Sequence, residues 1–158
     1  LGGASGFTLA AAFSAFIGVH LVGFYGTWAV ILTVTAMLTR GASLLRNQRL
    51  RPRSTLQSAI GVRHTTIRQI AQGAMGGSFN TREFFHHQPQ RVISMARVAF
   101  LVLVFPVPAL LLGAAWGMSS EVLPLLAFLS QYVGLLIERW YFFIEARHPQ
   151  NLYYQSIA

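Results

Sequence analysis

Three sets of residues in this sequence have types and spacings that could do chemistry. The first is Glu138-Arg139, set in an apolar run and followed by Glu145. A charge within a membrane-depth helix costs about 3 kcal/mol or more unless it is paired or reaches water. Side chains meet on a helix three or four residues apart, so these neighbours cannot pair with each other. Glu138 therefore needs a partner on another element, and Arg97 is the best candidate. Arg139 either snorkels to the headgroups or pairs with Glu145. Such a group could brace two helices, hand protons to a substrate, or seat a partner. The second is His20, the one histidine within an apolar stretch. Its ordinary reading is an interfacial residue; its sharper reading is a group that hydrogen-bonds a quinone or relays a proton. The third is Ser5 in Gly3-Ala4-Ser5-Gly6, a pattern found around the nucleophile of intramembrane serine proteases. His20 is the only base available to it. On one helix, fifteen residues put them more than ~20 Å apart, whereas a nucleophile and its base need about 3 Å. Small residues that let helices approach closely explain that stretch better.

Metal chemistry within the chain is disfavoured by residue type. There is no cysteine, so no thiolate-ligated iron–sulfur cluster can form here. A haem held by two histidines needs both on facing helices, but His64, His86, His87 and His148 lie outside the apolar runs. Five histidines are also too few for a diiron desaturase. No haem, cluster or other metal is expected on this chain.

A fourth feature is Gly76-Gly77-Ser78-Phe79-Asn80-Thr81-Arg82-Glu83-Phe84-Phe85-His86-His87. It is too polar for lipid and too aromatic for an idle linker. Arginine and aromatic residues are enriched at protein interfaces, so Asn80, Arg82, Glu83, Phe84, Phe85, His86 and His87 are candidates for docking a partner.

The elements that must position these residues are membrane helices. The chain of 158 residues is 54% hydrophobic and 10% charged, and its mean hydropathy is +0.51. Soluble domains carry roughly a quarter charged residues. Four stretches approach the ~20 apolar residues that cross a bilayer: about 2–22, 26–45, 92–116 and 122–143. The aromatic link Val22-Gly23-Phe24-Tyr25-Gly26 joins the first two, and Pro106 and Pro108 should kink the third. The expected fold is an all-α integral membrane bundle in a single domain. Residues 46–91 form an Arg-rich loop. Within it, Ser54 should cap a helix whose Leu56, Ile60, Ile67 and Ala71 share a face lying on the membrane surface.

All twelve basic residues are arginines, against four glutamates. Nine of them lie between Arg40 and Arg91, and Arg147 is in the tail. The segments at the other end carry Glu121, Tyr25, Trp28 and Trp116 but no arginine. The positive-inside rule puts the loop and both termini in the cytoplasm, with Trp28 and Trp116 in the outer aromatic belt and Trp140 and Tyr141 in the inner one. The net charge of +8 is directed at phospholipid headgroups, and no nucleic-acid partner is expected. Leu1 stands where a methionine would open a complete chain, and no charged stretch precedes the first apolar run. An N-terminal part is expected to be missing.

Thr55-Leu56-Gln57-Ser58-Ala59-Ile60-Gly61, the Gly76–His86 segment, Glu138-Arg139-Trp140-Tyr141-Phe142-Phe143 and His148-Pro149-Gln150-Asn151-Leu152-Tyr153-Tyr154 together resemble the DmsC-type membrane-anchor subunits of molybdopterin oxidoreductases, the dimethyl sulfoxide reductase anchor family. The resemblance runs from the second helix to the C-terminus. It implies an eight-helix anchor in the bacterial cytoplasmic membrane, of which this chain is the C-terminal half. It further implies an iron–sulfur subunit and a molybdopterin catalytic subunit as partners, with ubiquinone or menaquinone as the electron-exchanging substrate. A cytoplasmic loop resembles the anchors of sulfite dehydrogenase and phenylacetyl-CoA oxidoreductase type. His20, Arg97, Glu138, Arg139 and Glu145 are the candidates for a quinone or proton path. The competing reading is half of a transporter built from an inverted or parallel repeat, which the lack of polar residues at midplane depth disfavours.

Overall fold

The computed structural model describes residues 1–50, 53, 55–68 and 89–145, all of them helix, turn or loop. Six helices follow in order: α1 (Gly2–Ile17), α2 (Val19–Arg49), α3 (Leu56–Ile60), α4 (Gln90–Val104), α5 (Pro106–Met118) and α6 (Val122–Glu145). Three stretches are long and apolar enough to cross a membrane: His20–Arg49, Arg91–Met118 and Val122–Phe143. With 16 residues, Gly2–Ile17 falls short of that length. Phe13 is 66% exposed, Leu110 72% and Leu136 56%. Large apolar side chains this open belong against lipid, and the chain is a multi-pass membrane protein.

The first reversal differs from the sequence expectation. It falls at Gly18 and not at Val22–Gly26, which is helical throughout. Gly18 leaves the helix in an extended conformation while its N–H still bonds Ser14 O, and Leu21 N–H restarts the ladder on Gly18 O. The turn therefore takes one residue; Gly26 serves packing instead, while Gly23 is exposed with open space around it. The Cβ of any larger residue at Gly26 would lie 3.3 Å from Trp116 Nε1.

The prolines do interrupt the third span, and more sharply than a kink. Phe105 ends α4 and caps α5, with Pro106 at the first position of the new helix. Proline lacks the N–H that would bond the carbonyl four residues back, so Pro108 leaves Val104 C=O without its helical donor.

α1 packs against α2 and α6, α6 packs against α4 and α5, and α2 touches α5. This leaves α2 and α6 facing each other across the diagonal of the bundle, running in the same direction. The buried residues of α6 are Pro124, Ala127, Gln131, Gly134, Glu138 and Tyr141. On α2 they are Val22, Gly26, Ala29, Thr33, Ala36 and Leu44, with Arg40 partly buried. Alternating steps of three and four keep one seam of a helix turned inward. Small residues along it allow close approach in lipid, where no hydrophobic drive exists between helices. Gly134 is the tightest point: a Cβ there would stand 2.7 Å from Val104 Cγ2 and 2.9 Å from Leu103 Cβ.

The helix expected within the loop is shorter and starts one residue later. Thr55, not Ser54, is its cap, and Ser54 lies outside the described residues. Ser58 N–H donates to Thr55 Oγ1 at 3.2 Å, and Thr55 N–H donates to Ser58 Oγ at 2.8 Å. Gly61 ends it after five residues at φ 75°, in the left-handed region that suits glycine. Ile67 therefore shares no helical face with Leu56, and Ala71 lies outside the described residues.

Candidate functional site

Polar chemistry concentrates in the bundle at two levels. At the loop end, where α2 runs on to Arg49 and not only to residue 45 as expected, Glu138 Oε1 lies 2.9 Å from Arg40 Nη2, with the two side chains 8% and 11% exposed. The partner is Arg40 of α2, and not Arg97 as the sequence suggested. By position Arg40 groups with the loop arginines, but the α2 seam turns it into the bundle. Its guanidinium also stands over the Phe100 ring, 5.8 Å from the centroid, within cation–π range. Phe100 in turn packs on Tyr141, with centroids 5.2 Å apart. Tyr141 is 7% exposed, so it belongs to this core and not to an interfacial belt. Leu44, Phe100 and Tyr141 form the apolar floor of the group.

Arg97 belongs to the same end but has another partner. With its amide turned so that the oxygen faces the guanidinium, Gln48 Oε1 accepts from both Arg97 Nη1 and Nη2 at 2.7 Å. Charge-assisted bonds of this length are among the stronger ones. Arg139 is exposed, as are Arg46, Arg49 and Arg91 at the same end. The result is a basic rim around a buried carboxylate. Glu145 closes α6, and its side chain lies outside the described residues. So do the docking candidates Asn80, Arg82, Glu83, Phe84, Phe85, His86 and His87.

Two helical turns deeper, Gln131 and Thr33 lie near the middle of their spans, which corrects the expectation that no polar residue reaches midplane depth. Gln131 is 1% exposed and Thr33 2%. Gln131 Nε2 donates to Val104 O at 3.3 Å and to Thr33 Oγ1 at 3.4 Å. Both bonds are long. They nonetheless give Val104 C=O the donor that Pro108 removed, which assigns this amide to the helix break and not to a solute path.

His20 is not part of either level. It begins α2, and the twenty residues to Arg40 span about 30 Å of helix. It lines a cavity of about 210 Å³ at the opposite end, with Gly23, Trp116, Ser119, Ser120 and Glu121. Ser5 bonds back to Gly2 O at 3.0 Å, an ordinary helix-side contact. Among the described residues, no group of three or more His, Cys, Asp or Glu is placed to hold a metal ion.

Gln48, Phe100 and Gln131 were not identified from the sequence, which counted Arg40 only among the loop arginines and Trp116 only in the outer aromatic belt. A signal for some of them was present. Glu138 and Gln131 sit seven apart on α6, and Arg40 and Thr33 sit seven apart on α2.

The chain is 62% identical over all its 158 residues to a sulfite dehydrogenase subunit from Allochromatium vinosum. Those residues are 49% of that protein, so the chain spans about half the length of the curated relative it matches. No protein-family model matches the chain, and no solved structure matches it.

Proposed function

We propose that this chain is half of a membrane-anchor and quinone-reactive subunit of a molybdopterin and iron–sulfur oxidoreductase. The observation that carries the reading is the buried Arg40–Glu138 pair beneath an arginine rim, in a sequence 62% identical to a sulfite dehydrogenase subunit. The shorter α1 is the fourth span of the reading, beside α2, α4–α5 and α6, in the bacterial cytoplasmic membrane, with the loop and C-terminus in the cytoplasm. The iron–sulfur subunit docks on the loop face through Asn80, Arg82, Glu83, Phe84, Phe85, His86 and His87, and the molybdopterin subunit sits beyond it.

Sulfite is the substrate by analogy with that relative. Oxidation to sulfate takes one water and releases two electrons and two protons. Reduction of a quinone to quinol consumes two of each. The iron–sulfur partner supplies the electrons at the loop face, so the quinone head approaches the same end. Arg97, fixed by Gln48, and exposed Arg139 orient its carbonyls. Glu138, paired with Arg40, is the candidate carboxylate of a proton path between the aqueous loop side and the quinone. Arg40 fixes its position. His20, at the other end, takes no part.

The test is purification of the natural full-length protein from membranes. A copurifying polypeptide with iron–sulfur spectra, and sulfite-dependent reduction of a short-chain ubiquinone, are expected. The pair Arg82→Ala and Phe84→Ala should release the iron–sulfur subunit from the membrane. Full retention of that subunit by the double variant would defeat the docking assignment. Solute flux in vesicles without any bound redox partner would favour a transporter half instead.

A further inference from the structure

The cavity at the turn end belongs to neither the ion-pair cluster nor the docking loop. It lies where the α1–α2 reversal meets the turn from α5 to α6, and both turns contribute to it. Its walls include Gly23 and Ala115, and the polar residues that line it are His20, Ser119, Ser120 and Glu121, beside Trp116.

We propose that this cavity binds the headgroup of an ethanolamine phospholipid. Three observations converge on that class. The cavity is at headgroup depth: Trp116, two residues from the end of α5 and lining the cavity, is 46% exposed at this end, where indoles mark the membrane interface. At about 210 Å³ it is smaller than the roughly 300–1,000 Å³ clefts that enclose drug-sized ligands, which suits a headgroup whose chains stay in the bilayer. The third is charge. Every arginine of the described residues lies at or beyond the loop-side half of the bundle, so the carboxylate of Glu121 is the formal charge that a ligand meets here.

A primary ammonium satisfies that carboxylate by charge-assisted N–H donation and gains from an adjacent indole face. The phosphate that accompanies it accepts from the serine hydroxyls and the imidazole. A choline headgroup has no N–H to donate. A glycerol headgroup leaves a net negative lipid facing Glu121 with no arginine nearby. An oxidised quinone offers only acceptors to a carboxylate that is itself an acceptor.

The natural full-length protein, delipidated in mild detergent, is incubated with equimolar ethanolamine, choline and glycerol phospholipids of matched chains. Bound lipid is read by native mass spectrometry. One ethanolamine lipid should be retained about tenfold over either competitor, the factor expected for one charge-assisted bond. Glu121→Gln and Trp116→Leu should each bring that ratio to within about twofold. Arg46→Gln, at the other end, should leave it unchanged. Equal retention of the three lipids by the unmodified protein overturns the proposal without reference to any variant. So does a preference that survives both substitutions, or displacement of the lipid by a short-chain quinol.

Discussion

Removing one charge of the Arg40–Glu138 pair is the most demanding test of the fold. The two side chains are 11% and 8% exposed and 2.9 Å apart, so each charge is largely cut off from water if its partner is lost. Breaking a buried pair costs about 3–5 kcal/mol, whereas an exposed pair contributes about 0.2–1 kcal/mol. The position near the loop end gives some aqueous access, which places Glu138→Gln and Arg40→Met at the lower bound, about 3 kcal/mol each. That corresponds to more than about a hundredfold in the folding equilibrium. Joint replacement, Arg40→Met with Glu138→Gln, leaves no unpaired charge and should recover most of the loss. Stability is measured by detergent unfolding of the four proteins of this cycle. Single variants that each lose less than about 1 kcal/mol would show the pair to behave as a surface contact. A double variant as weak as the sum of the two would remove the coupling altogether.

Gln131→Leu should cost about 0.6–1.7 kcal/mol, the range for hydrogen bonds between membrane helices. Pro108→Ala, which returns an N–H to Val104 C=O, should reduce that cost in the same unfolding assay; an equal loss in both backgrounds would mean the amide does not serve the break. Gly134→Ala drives a methyl to 2.7 Å from Val104 Cγ2 and should destabilise by about 1–3 kcal/mol as overpacking, with unchanged melting as the contrary result. Thr55→Ala removes half of the capping box and should lower the stability of α3 by about 1 kcal/mol. Faster amide exchange at Ser58 and Ala59 reports it, and exchange equal to the unmodified chain would argue against the cap.

Helices were legible where apolar length alone decides the matter, as for 122–143. They were less legible where a glycine decides. Gly18, Gly23 and Gly26 are the same residue in the sequence, but one turns the chain and another accommodates Trp116. The choice depends on what packs against each. The break at Pro106–Pro108 was legible because proline acts through its own covalent structure. Glu138 was recognisable as needing a cation, since the penalty belongs to the carboxylate itself. Which cation meets it depended on the diagonal placement of α2 and α6. That placement exposes Arg40 to Glu138 and leaves Arg97 to Gln48. Gln131 was not legible as a site residue, because the carbonyl that needs its amide lies on another helix.

The two polar contacts across the bundle also set a schedule for assembly. Thr33 and Gln131 are separated by 98 residues, and Arg40 stands equally far from Glu138 in the sequence. At a synthesis rate of about 5–20 residues per second, α2 is made some 5–20 s before its partner helix. During that interval Arg40 has no Glu138 to meet, and its long side chain reaches toward the loop-side headgroups. When α6 arrives, both contacts come into register together, because a slip of one turn would undo both. α6 thus draws Arg40 inward, and the two contacts close in one step.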